Sequence, residues 1–370
     1  MERSKVSITR CESYSQNLVD KAVAEAVGAL GGIRQFVKHG DKVLIKPNIL
    51  SARKPEEAVC THPAVLRAVI RLVKDTGAHI TVGDSPGGFL KNIEEVYEIS
   101  GINKVTQEEK VNLVKFTFSR TINGLPISTR VLDSDKIISV PKFKTHEITG
   151  ITACVKNMYG SVVGLFKTKV HADHPKEEGL ARILAQVYSI TKPVLSIVDA
   201  VICMEGEGPS AGDPRDSKFI MAGCDGVACD TVLAHLIMTK PMGYAFLREC
   251  RKQGLGQTDI KQIDVLCGRI EDFYIKNIKH AQARIFLKFM PHFAANAVAS
   301  QLKFSPHIEP DLCKKCNMCK SSCPVKAIFI KDDIFTVNLK KCIRCMCCRE
   351  VCPYKAIGIR KNWLSRMIWE

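Results

Sequence analysis

Nowhere in its 370 residues does the chain contain a run of eighteen apolar residues, which argues against a membrane-spanning helix. The opening MERSKVSITRCESYS lacks the apolar core of a secretory leader, so the expected location is the cytoplasm. Aromatic residues are scarce, at 6% with two tryptophans, and no nucleic-acid reader motif occurs. Charge alone is left to support a nucleic-acid role, and that is weak support. P-loop, nucleophile-elbow and thioredoxin-type motifs are also missing, as are low-complexity segments. Acidic residues are in deficit: 38 Asp and Glu stand against 54 Lys and Arg, a formal charge of +16. Such an excess fits anionic substrates or acidic partners.

Cysteine is the residue present in excess. Of 17, eight are scattered through residues 1–310 and nine crowd into 313–352. Residues 313–324 read CKKCNMCKSSCP and 342–353 read CIRCMCCREVCP. Both fit C-x2-C-x2-C-x3-C-P, the run of two-cluster bacterial ferredoxins, in which the fourth cysteine reaches the other cluster. Carried over, that pattern assigns Cys313, Cys316, Cys319 and Cys352 to one [4Fe–4S] cluster, and Cys342, Cys345, Cys348 and Cys323 to a second. Cys347 is then surplus and is expected to be a small buried hydrophobe. A zinc site needs four ligands and would leave this octet unexplained. The segments AIFI and AIGI recur at one offset after each proline, and the region resembles a pseudo-symmetric ferredoxin domain. Its 13 Lys and Arg against five Asp and Glu over residues 311–370 would offset clusters that add about −4 in charge.

From residue 1 to about 265 the pattern is different. KVSITR, DKVLIKPNIL, HITVGD, VNLVKF, DKIISVPKF, PVLSIVDAVICM and KQIDVLC read as strands. LVDKAVAEAVGALGGIRQFV, HPAVLRAVIRLVKDTG, EEGLARILAQVYSI and DGVACDTVLAHLIM read as helices between them. Alternation of nearly continuous apolar strands with helices predicts an α/β fold: a mostly parallel sheet covered by helices, followed by a small α+β ferredoxin-type domain. The expected boundaries are 1–268 for the α/β domain, 269–308 for a helical linker, 309–360 for the iron–sulfur domain and 361–370 for a tail. The apolar, basic linker and the closing WLSRMIWE would also suit a membrane surface, though packing of one domain on the other is the favoured reading.

The stretch IISVPKFKTHEITGITACVKNMYGSVVG, with VLIKPNIL, THPAVLRAVI and TVGDSPGG, resembles the family called domain of unknown function 362 over roughly residues 40–240. The resemblance implies an architecture and a redox setting, since many members carry a C-terminal ferredoxin module. Open α/β sheets bind ligands at the carboxyl ends of their strands. Candidates there are Lys46 and Asn48, Asp84 and Ser85 as binding groups, and Lys144, His146, Lys156 and Asn157 as catalytic ones. Lys142, Lys144 and His146 alternate, which in extended chain points them to one side. A buried lysine has a lowered pKa and can act as acid or base. His171 and His174 form a weaker candidate for a metal or a proton donor on a loop. EGEGPSAG at 205–212 imitates a dinucleotide fingerprint, but Pro209 and Pro214 prevent the helix that motif must open. A substrate-covering loop carrying Glu205, Glu207 and Asp213 is expected instead.

Two functions compete. One is a reductase that takes single electrons from a ferredoxin-like donor protein through two [4Fe–4S] clusters to a small anionic substrate or cofactor. The other is a non-catalytic electron carrier or assembly factor whose α/β domain docks a protein partner, which would need no enclosed polar pocket near a cluster.

Overall fold

The computed structural model describes residues 3–86, 93–164, 166–167, 170, 177–281, 305–343 and 345–360. In chain order the strands are β1 (Ser4–Arg10), β2 (Lys42–Pro47), β3 (His79–Asp84), β4 (Asn112–Lys115), β5 (Ser119–Ile122), β6 (Leu125–Ser128), β7 (Lys136–Val140), β8 (Lys142–His146), β9 (Gly150–Thr152), β10 (Leu195–Glu205), β11 (Asp213–Gly223) and β12 (Ile263–Leu266). The main sheet runs β12-β1-β11-β10-β7-β2-β3-β4, with β8 and β9 attached beside β10. Along this path the pairs are parallel except the two made by β11, which returns antiparallel beside β10 and β1. The mostly parallel α/β expectation therefore holds, with β11 as the departure.

Two-residue alternation divides the sheet between two cores. On β2, Val43 and Ile45 enter the core under the helices Gln16–Gly28 and Pro63–Lys74, while Leu44 enters the one under Glu177–Thr191, Gly226–Leu236 and Ala245–Lys252. Pro63–Lys74 shows why these helices form. Its buried Val65, Leu66, Val69, Ile70 and Val73 recur at helical spacing. Pro63 occupies the first turn, where a missing N–H costs nothing, and His62 Nδ1 accepts from Ala64 N at 3.1 Å. The helix expected over residues 18–37 ends early, at Gly28, because Gly31 and Gly32 adopt φ of +98° and +82°.

Strand order reverses at β2, with β3 and β4 on one side and β7 and β10 on the other. The β2/β7 boundary is thus the topological switch point, where the carboxyl ends of open α/β sheets leave a crevice. The small C-terminal module pairs β13 (Ser305–Ile308) with β16 (Ile357–Arg360) and β14 (Ile328–Lys331) with β15 (Ile334–Val337). Its two short helices, Met318–Ser321 and Cys347–Glu350, each contain cysteines of the repeated runs. Because Ser305 already pairs with Arg360, the module starts at 305 and not at the expected 309. The described part of the expected helical linker holds one helical turn, Ile270–Phe273, and ends in strand β13; most of the rest, like WLSRMIWE, lies outside the described residues.

Candidate functional site at the sheet switch point

Lys46 and Asp84 end neighbouring parallel strands and meet as a fully buried ion pair, Nζ to Oδ1 at 2.6 Å. Burial pulls the Lys46 ammonium below its ordinary value, and Asp84 opposes that pull. The backbone holds Asp84 as well: Ile49 N and Ser85 N each donate to it at 2.8 Å. A Cβ on Gly160 would run into Asp84 Oδ1 and lie 2.6 Å from Lys46 Nζ, so only glycine fits over this pair. Across the switch point, Asn157 Nδ2 donates to Lys46 O at 3.2 Å and to Ser139 Oγ at 2.9 Å, tying β2 to β7. Asn157 ends the short helix Cys154–Asn157, whose first N–H groups are held by Asp230: Cys154 N donates at 2.7 Å and Val155 N at 3.0 Å. Burial raises the Asp230 carboxyl to about 7.

Above this floor lies a cleft of about 700 Å³ including its mouth. Asn48, Asp84, Ser85, Lys156 and Asn157 line it from the α/β domain, and Cys347, Glu350 and Val351 of the C-terminal module form its other wall. Five of the eight candidates named from the α/β sequence thus share one cleft. Lys167, which the sequence did not single out, completes the wall. It donates to Ser85 O, to Ser85 Oγ at 3.2 Å and to Pro86 O at 3.2 Å, using all three of its protons, and burial lowers it to about 7. Lys156 contrasts with it. It is half-buried, and among the described residues no hydrogen bond or ion pair is seen for its ammonium. Burial lowers its pKa while Glu350 holds it up.

Lys144 and His146 are placed elsewhere. KFKTH is itself strand β8, lodged between β10 and β9, and all five of its residues are buried. Its alternate side chains reach three different partners. Lys142 joins a buried cluster in which its Nζ lies 3.0 Å from Asp199 Oδ2 and donates to Tyr14 Oη at 2.6 Å. Lys144 Nζ donates to Val59 O at 2.7 Å and is brought to about 7 by burial. His146 Nδ1 accepts from Ile148 N and Thr149 N at 3.1 and 3.2 Å, and its Nε2 lies 3.5 Å from Glu350 Oε1. Neither Lys144 nor His146 lines the cleft among the described residues; His146 stands behind Glu350. Lys46 lies beneath the floor.

The loop after β10 also differs from expectation. Glu205 is tied to Arg215 at 2.7 Å, and Glu207 is 3.1 Å from Arg349, which also pairs with Glu147. Ser210 Oγ donates to Arg349 O at 3.4 Å, and Arg53 donates to Cys352 O at 3.1 Å. The loop holds the cysteine-rich module and does not cover the cleft. Asp213 begins β11, opposite Glu205. His171 and His174 lie outside the described residues.

Within the module, Cys313, Cys316, Cys319 and Cys352 line one cavity of about 320 Å³ including its mouth. Burial, then the charges of Cys345, Cys319, Cys342 and Cys323, push the Cys348 thiol well above its ordinary value. The cluster assignment thus rests on the spacing of the two runs, a soft-donor set suited to iron–sulfur chemistry; among the described residues no group of three or more His, Cys, Asp or Glu is gathered at metal-site geometry. Cys347, the residue left over by the spacing, is buried and lines the cleft.

An open α/β domain whose switch-point cleft is walled by a cysteine-rich module defines a two-domain iron–sulfur protein. The chain belongs to the family described as Domain of unknown function (DUF362): residues 43–235 match that family's model, and residues 305–353 match the model of a 4Fe-4S dicluster domain. It is 32% identical over 260 residues to the thylakoid-associated protein sll1697 of Synechocystis sp., a match covering 68% of this chain and 80% of that protein. Among solved structures, the lactate racemase apoprotein from Thermoanaerobacterium thermosaccharolyticum is similar with a TM-score of 0.35 and 12% identity, over 68% of this chain and 57% of that one. Among the described residues no helix is long and apolar enough to cross a membrane.

Proposed function

We propose that this protein is an iron–sulfur reductase that delivers single electrons to a small anionic substrate held in the switch-point cleft. The observation that carries the reading is the shared wall: Cys347, Glu350 and Val351, interleaved with cluster cysteines in the sequence, face Lys156 and Asn157 across one cavity. Two [4Fe–4S] clusters, held by Cys313, Cys316, Cys319 and Cys352 and by Cys342, Cys345, Cys348 and Cys323, would supply one-electron chemistry when bound. The chain's own residues do the rest. Lys156 offers the anion an ammonium whose hydrogen bonds are not used among the described residues, Asn157 and Asp84 fix the floor, and the module excludes water from one side. Lys144 and His146 then act as positioning residues, with His146 orienting Glu350 from behind. A cleft that gathers Lys156, Asn157 and Glu350 supports this reading over a non-catalytic carrier, which needs no such cavity beside the cysteines.

Anaerobic purification tests the metal assignment: about eight irons per chain are expected, and zinc in their place would overturn it. The reduced protein should then reoxidise faster with its anionic substrate than without. Equal reoxidation rates across a broad panel of anionic metabolites and redox cofactors would leave only the electron carrier.

A further inference from the structure

We infer that the ligand of the cleft is an anion that also carries N–H or O–H donors, and that Asn157 selects for them. This deepens the reading above and rests on it. The unmet polar groups of the cleft define the ligand by complementarity. Asn157 is 2% exposed, yet its Oδ1 has no hydrogen-bond partner among the described residues. Its orientation is not a free choice: the amide must present nitrogen to Lys46 O, which can only accept, so the oxygen faces away from that contact. Asn48 Oδ1 and Thr152 Oγ1, also in the cleft lining, are buried without partners as well. Native interiors rarely leave such atoms unpaired, and exceptions gather where a ligand or water completes them.

The other polar groups are already used. Asp84 accepts from Lys46, Ile49 N and Ser85 N, Lys167 donates to Ser85 and Pro86, and Glu350 lies 3.5 Å from His146 Nε2 and supports the charge of Lys156. What is left for a ligand is one cation, Lys156, with two amide oxygens and one hydroxyl. A carboxylate with no donor would satisfy Lys156 but bury the amide oxygens unpaired. A hydroxylated or amide-bearing anion satisfies both kinds of group, and sites built to accept hydrogen bonds reject analogues that lack the donor.

The test compares anions of equal length on the anaerobically purified holoprotein by titration calorimetry: acetate with glycolate, and propionate with glycerate. The donor-bearing member of each pair is expected to bind about tenfold tighter, more so for glycerate. Asn157→Leu should abolish the preference, whereas Lys156→Met should weaken both members of a pair alike. Because Asn157 also ties β2 to β7, Thr152→Val provides a second variant, expected to narrow the preference without disturbing that tie. Equal affinity within each pair would overturn the inference and leave the anion cleft standing. Failure of all four to bind, with Lys156→Met behaving like the unmodified protein in reoxidation assays, would overturn both.

Discussion

At the scale of single residues, the site depends on groups whose burial is costly. Removing one partner of a buried ion pair leaves an uncompensated charge, typically a loss of about 3–5 kcal/mol. Gly160→Ala reaches the Lys46–Asp84 pair indirectly, since its Cβ would displace Asp84 Oδ1. A loss of about 3 kcal/mol or more in denaturant unfolding is therefore expected; a change within about 0.5 kcal/mol would mean that the pair can shift without breaking. Lys167, lowered to about 7, makes a prediction with a definite sign. Between that value and the ordinary lysine value the unfolded chain binds the extra proton, so stability rises with pH across the window. Below it both states are protonated and the cost of the buried charge is fully present. Lys167→Met should flatten the rise seen between unfolding curves at about pH 7 and about pH 9.5. An unchanged slope would leave Lys144, also near 7, as its source.

Among elements, the short helix Cys154–Asn157 places the two residues that matter most in the cleft, and Asp230 holds its N-terminal amides from the helix Gly226–Leu236. With its carboxyl raised to about 7, Asp230 keeps a proton in the folded state that the unfolded chain releases at ordinary carboxylate pH. Its stabilising contribution is complete at acid pH and is lost as pH rises through about 7. Asp230→Asn removes this titration, so stability should fall less between about pH 4.5 and about pH 8 than in the unmodified protein. An identical slope would refute the assignment.

The same scale shows what was legible in the sequence. Apolar runs such as VLIKP and ITVGD announced β2 and β3, and the strand-end rule then pointed to Asn48, Asp84 and Ser85 in the cleft. Strand β11 was not legible, because DPRDSK opens it with exposed polar residues and its pairing is set by the hairpin from β10. The strand read over DKIISVPKF is divided at Pro141, beyond which β8 continues to His146 beside β10. Lys144 and His146 carried the strongest local motif, yet their direction depends on tertiary neighbours that no spacing encodes. The repeated cysteine runs were legible because a cluster imposes its geometry on spacing; Lys167 had no such signal.

For the molecule as a whole, the basic excess is partly local to the module, and part of it is spent on docking. Arg349, nearly buried, lies between Glu147 and Glu207 of the α/β domain and brings its helix Cys347–Glu350 against the cleft. The latch connects to the loop after β10 through the backbone as well, since Glu147 N donates to Gly208 O at 3.3 Å. If this contact seats the module, Arg349→Ala should leave iron content unchanged, because Arg349 is not a cysteine ligand, while amide exchange at Glu147 and around Gly208 accelerates on the order of tenfold or more. Glycerate affinity should fall with it, because Glu350 and Val351 leave the cleft wall. The charge exchange Glu147→Arg with Arg349→Glu should recover part of both effects, as expected for residues that couple directly. Loss of iron in Arg349→Ala would make the residue part of module folding, and unchanged exchange would place the hold on the module at Arg53 and Cys352 instead.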